Sequence, residues 1–132
     1  MGSGSAPKAA AIATLKSTFD ATLWQRAKVL LVLDGVADPG NLGTLLRAAD
    51  ASGADGVLLT EHCADPFSPK VVRSSAGSIF HCPGEMLKSQ SGVSKSREHQ
   101  FELVAAGAHG GTNCTEFTWA QKYFLVLGNE KH

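Results

Sequence analysis

Residues 34–60 read DGVADPGNLGTLLRAADASGADGVLLT, and the fold turns on this stretch. Its opening, DGVADPG, is turn chemistry. Asn41 suits an N-cap for a helix over 41–52. Leu42, Leu45, Leu46 and Ala49 recur there as one apolar stripe, and Gly53 suits a left-handed C-cap. Residues 56–60, GVLLT, then form an apolar run of strand length. Immediately upstream, 28–33 (KVLLVL) is a second run of the same kind, as expected of a strand buried on both faces. Strand, turn, helix and strand in this order make a βαβ unit with parallel strands.

The rest of the chain extends the pattern. Ser68-Pro69 places a cap before a proline at the first helical position, opening a short helix that ends near Gly77. Residues 78–82 (SIFHC) read as a short third strand. The polar stretch 86–100 reads either as a frayed helix broken at Gly92 or as an inserted loop. Residues 101–106 (FELVAA) and 123–127 (YFLVL) read as a fourth and a fifth strand, with one helical turn over 115–120 between them. On the amino-terminal side, Ile12, Leu15, Phe19 and Leu23 have helical spacing over 9–25, behind a flexible start covering 1–9. Residues 10–132 make one domain. Apolar strands alternating with helices predict an α/β fold, a mainly parallel sheet with helices on both faces. In such sheets ligands sit beyond the carboxyl ends of the strands, so the turns at 34–41, 106–111 and 128–130 are expected along one edge.

Composition narrows the functions. Lys plus Arg and Asp plus Glu both number 12, so the net charge is zero. A protein that binds RNA unaided usually carries a basic surplus, because phosphate neutralisation supplies most of the affinity. Any basic surface here must be local or supplied by another chain. The three cysteines, Cys63, Cys82 and Cys114, are odd in number and widely spaced, which argues against a disulfide framework and for a reducing, intracellular setting. Adjacent residues on a strand point to opposite faces, so His62-Cys63 and His81-Cys82 are poor chelates and no metal is expected. No stretch is long enough to span a membrane. The Ala, Ser, Thr and Lys of the first residues suit either an ordinary helix or an organelle transit segment, leaving cytoplasm and organelle unresolved.

Several residues carry candidate chemistry. The turn 38–43 before a helix N-terminus is an anion site in principle, through free N–H groups and the helix dipole. It has neither a Walker ending nor the spacing of a dinucleotide fingerprint. Arg47, on the stripe with Gly43 and Asp50, can lean toward that N-terminus and grip a phosphate through two nitrogens. Equally, it can pair with Asp50 three residues on. Glu130 follows a strand and a glycine, a good place for a site carboxylate, and equally an exposed residue. Ser74 and Ser75 lack a base placed by sequence, which argues against a hydrolase.

Taken in order, these segments resemble the SpoU/TrmH family of RNA ribose 2′-O-methyltransferases. Residues 34–60 are similar to the family's first signature, 68–83 (SPKVVRSSAGSIFHCP) to the segment after it, and 125–130 (LVLGNE) to the start of the second. The resemblance implies a trefoil-knotted α/β domain, homodimeric, that binds S-adenosylmethionine (AdoMet) in the knot and methylates tRNA or rRNA. Asn41 and Arg47 match the family's catalytic asparagine and arginine, the latter a contact to an RNA phosphate. Glu130 matches the second-signature glutamate. Gly128 matches a position lining the AdoMet pocket, and the turn at Ala105 and Ala106 another of its walls. A third signature, which closes the knot, does not occur within these 132 residues. The expectation is therefore an incomplete knot, residues 123–127 beside an unfilled place, poor AdoMet binding and no catalysis by the isolated chain. The alternative is a non-catalytic piece that binds RNA or a partner.

Overall fold

The structure, a computed structural model, describes residues 9–10, 12, 19–88, 90–107 and 109–128. The elements in chain order are α1 (Ala21–Arg26), β1 (Val29–Asp34), α2 (Pro39–Ser52), β2 (Gly56–Thr60), α3 (Pro69–Ser74), a 3-10 turn (Ser78–Phe80), β3 (Gly84–Leu87), α4 (Ser91–Glu98), β4 (Glu102–Ala105) and β5 (Tyr123–Gly128). The five strands form one sheet in the order β3-β2-β1-β5-β4, and every neighbouring pair is parallel. The apolar runs in β1 and β2 are buried because helices cover both faces, the usual condition of a parallel sheet.

The two faces have separate cores. Leu31, Leu33, Val57 and Leu59 pack under Leu42, Leu46 and Ala49 of α2 and Val71 of α3. On the opposite face, Leu30, Val32, Leu58 and Phe124 meet Leu23 of α1 and Phe19 just before it, with Leu87 and Phe101. The ring of Trp24 stacks on His99 at 4.3 Å and meets Phe101 edge-on, which ties α1 to the end of α4. Coverage thins toward β5. Tyr123, Leu125 and Leu127 are only half-buried and, with Leu31, Leu45 and Ala49, line an apolar pocket of about 300 Å³.

Five readings of the sequence need correction. Among the described residues, the helix expected over 9–25 is the short α1, which Asp20 caps. The helix predicted over 41–52 begins earlier: Asp38 caps it and Pro39 occupies its first turn, so Asn41 lies inside the helix and is not its cap. Residues 78–82 are not a strand. Gly77 takes a left-handed φ of +90° and starts a 3-10 turn, and the Cys82 N–H returns to the Ser78 carbonyl. The third strand is GEML instead, with Leu87 its one buried residue; an edge strand this exposed has no alternating pattern to reveal it. The polar stretch holds a continuous helix, α4, that passes through Gly92. The turn expected over 115–120 is centred earlier, where the Asn113 carbonyl accepts from the N–H groups of Glu116 and Phe117.

The sheet also fixes where a ligand can sit. From β1 the chain steps outward to β2 and β3, then crosses to the far edge at β4 and returns to β5 beside β1. The crevice beyond the carboxyl ends of β1 and β5 is thus the topological switch point, where open α/β sheets bind ligands.

Candidate functional site

At the end of β1 the chain must leave the sheet within a few residues. Gly35 does so with a φ of +69°, a region glycine enters without the steric cost a side chain would add. Its N–H donates to the buried Thr60 hydroxyl at 3.0 Å. The Val36 carbonyl accepts from the Ala64 N–H at 2.9 Å, and the Cys63 thiol donates to the Leu33 carbonyl at 3.1 Å. The turn after β1 is therefore braced by the loop after β2.

Asp38 then starts α2. Its carboxylate accepts from the Asn41 N–H at 2.8 Å, while its carbonyl accepts from the Leu42 N–H. Proline at the first turn costs nothing there, since its missing N–H has no partner in the helix. The Ser74 hydroxyl, on α3, reaches the Pro39 carbonyl at 3.4 Å and the Val71 carbonyl at 3.3 Å. This approach depends on Gly43: a Cβ there would lie 1.7 Å from Ser74 Oγ and 2.9 Å from the Ser75 nitrogen. Sequence reading took Asn41 for the cap in place of Asp38, and weighed Ser74 only as a nucleophile, not as a packing partner of α2. The Asp38-Pro39 pair was the available signal for the cap; the Gly43–Ser74 contact is a tertiary fact with none.

Asn41 and Arg47 both lie on the exposed face of α2, about 9 Å of helix rise apart. Arg47 does not pair with Asp50. The Asp50 carboxylate lies 2.6 Å from His81 Nδ1, and hydrogen bonds from His81 first and Ser78 second hold its carboxyl below the usual range. Arg47 makes no ion pair among the described residues. Beside this pair, burial and then the charges of Asp50 and Asp55 push the Cys82 thiol up to about 11.

The other predicted residues fall on the expected edge. Asp34, the last residue of β1, pairs in register with Gly128, the last of β5. Ala105 ends β4 opposite Val126, and the N–H of Ala106, one residue past the strand, donates to the Val126 carbonyl at 3.0 Å. Gly128, Ala105 and Ala106 are all exposed. The edge thus presents three adjacent strand ends, with nothing beyond a Cβ on two of them. Glu130 lies outside the described residues. Among the described residues no group of His, Cys, Asp and Glu is arranged to hold a metal, and no helix is long and apolar enough to cross a membrane.

A parallel α/β domain with an edge of small, exposed residues at its switch point, and an arginine-bearing helix leaving that edge, defines the class of open α/β folds that bind ligands beyond their strand ends. The comparisons narrow it. The profile of the SpoU rRNA Methylase family matches residues 28–132, and the chain belongs to that family. It is 36% identical over 104 residues to a 23S rRNA (guanosine(2553)-2′-O)-methyltransferase of Bacillus subtilis, covering 79% of this chain and 42% of that protein. It is 44% identical over 70 residues to the human mitochondrial rRNA methyltransferase 3, covering 52% of this chain and 17% of that one. Among solved structures, the SpoU methyltransferase AviRb from Streptomyces viridochromogenes in complex with AdoMet superposes with a TM-score of 0.77 at 31% identity, over 89% of this chain and 45% of that one. The chain spans less than half the length of each of these relatives.

Proposed function

We propose that this chain is part of an RNA ribose 2′-O-methyltransferase that uses AdoMet. The observation that carries this reading is the edge itself: Gly128 and Asp34 in register at the switch point, Ala105 and Ala106 alongside, and a capped turn leading into the helix of Asn41 and Arg47. The edge fits a nucleoside. Gly128, Ala105 and Ala106 are small and exposed, so a flat base can approach the backbone at the ends of β4 and β5 without displacing side chains.

When bound, AdoMet supplies a methyl group on a positively charged sulfur that an oxygen nucleophile can attack. The chain's own residues have three tasks. Gly128, Ala105 and Ala106 offer backbone donors and acceptors to the cofactor. Arg47 holds a phosphate of the RNA, and with it the neighbouring ribose; alignment of a poor nucleophile such as a 2′-hydroxyl is worth several orders of magnitude in rate. Arg47 contributes charge and position to that alignment. Asn41, held by the Asp38 cap, fixes the turn from which the ribose is approached, and Glu130 organises the same site.

The target is tRNA or rRNA, a choice supported by what relatives' names state of those proteins: rRNA for some and tRNA/rRNA for others. Pairing with a second copy belongs to the same reading. It is supported by the apolar pocket beside Tyr123, Leu125 and Leu127, and sedimentation velocity would reveal it as a doubled mass.

The test of the RNA side is anisotropy with a labelled oligouridylate. Arg47→Ala should weaken binding by about tenfold, the loss of one charge-assisted phosphate contact of ~1.5 kcal/mol. Equal affinity of the wild type and Arg47→Ala would remove Arg47 from the site.

A further inference from the structure

Arg47 and Asp50 are three residues apart on α2, the spacing at which opposite charges on one helix face meet. They stay apart because Asp50 Oδ1 is 2.6 Å from His81 Nδ1, at the end of the 3-10 turn. The imidazole is 81% exposed and the Asp50 side chain 24%, so the contact is not a by-product of burying the ring. Ser78, buried at the start of the same turn, is second to His81 in lowering the Asp50 carboxyl. The turn thus holds the acid through His81, and the arginine beside it is left without an ion pair among the described residues.

We propose that His81 is a positioning residue that draws the Asp50 carboxylate off Arg47 and leaves the guanidinium available to an RNA phosphate. The inference rests on the phosphate role proposed for Arg47. A carboxylate and a phosphate use the same planar fork of the guanidinium, so they compete for it. A carboxylate tethered on the same helix competes at high effective concentration, even though such a pair is weak. Because the carboxylate can only accept, the hydrogen of a neutral imidazole resides on Nδ1, and the protonated ring donates there too. His81 therefore holds Asp50 in either charge state.

The test uses the full chain and two readouts. One is the rate at which phenylglyoxal modifies Arg47, read by peptide mass against Arg97, an exposed arginine on α4. The other is affinity for a fluorescein-labelled oligouridylate. His81→Ala should slow modification of Arg47 and weaken the oligonucleotide by about twofold each, the scale of an intrahelical ion pair. Adding Asp50→Asn should restore both, which repair of a merely structural loss at His81 would not do. Unchanged Arg47 reactivity in His81→Ala, or no restoration by Asp50→Asn, overturns the proposal. If reactivity falls and is restored while Arg47→Ala leaves oligonucleotide affinity intact, the hold on Asp50 stands and the phosphate role of Arg47 is what fails.

Discussion

Single atoms decide how α2 meets its neighbours. A Cβ at Gly43 would sit 1.7 Å from Ser74 Oγ and 2.7 Å from its Cβ. Gly43→Ala must push α3 away, and a destabilisation of about 1–3 kcal/mol is expected from such overpacking. Urea unfolding would show it, with partial recovery in Gly43→Ala/Ser74→Gly. Asp38→Ala should cost ~1 kcal/mol as a lost N-cap, whereas Asp38→Ser should keep most of it, in the same assay. Cys82 makes a pH prediction. Its folded pKa lies above the ordinary thiol value because burial disfavours the thiolate. The unfolded chain therefore releases this proton first, and stability should fall as pH rises from about 9 toward 11. Denaturant midpoints across that range should slope downward in the wild type and lose this component in Cys82→Ser. At this scale the sequence was only partly readable. Gly53 is the left-handed C-cap its position predicted, but the partner of Asp50 was not legible: His81 lies far along the chain, and only tertiary structure brings it to α2.

The elements were legible in proportion to how deeply they are buried. β2 was read to the residue and β1 to within one, because both are continuous apolar runs buried on both faces. The start of α2 was misplaced because two good caps, Asp38 and Asn41, stand close together, and the proline after Asp38 decides between them. β3 was missed because three of its four residues are exposed, so packing leaves no mark on its composition. The same gradient should appear in dynamics. Few buried contacts mean low local stability, so amides of β1 and β2 should exchange with deuterium far more slowly than those of β3 and α4. Equal protection across the sheet would contradict this description of its edges.

For the whole molecule, parallel topology places the features that matter. Every strand points the same way, so the turn that leads into α2, the end of β4 and the end of β5 share one edge whatever their separation in the chain. Alternating strands and helices predicted that edge. What they could not predict was the strand order, and hence that β1 and β5 lie side by side with Asp34 against Gly128; that follows from a crossover no local pattern encodes. With a neutral net charge, the proposed RNA contact rests on local groups such as Arg47. The half-buried face of β5 should respond to solvent probes, with Trp119, which packs on Tyr123 at 4.9 Å, reporting any partner that covers it.

The most direct test of the central claim is a titration of the nitrogen-15-labelled chain with AdoMet, followed by amide chemical shifts. The proposed site predicts progressive shifts at Ala105, Ala106 and Gly128, weak in affinity but confined to the carboxyl edge of β4 and β5. Shifts centred on β3 or α4 instead, or none at that edge up to the solubility limit of the ligand, would contradict it.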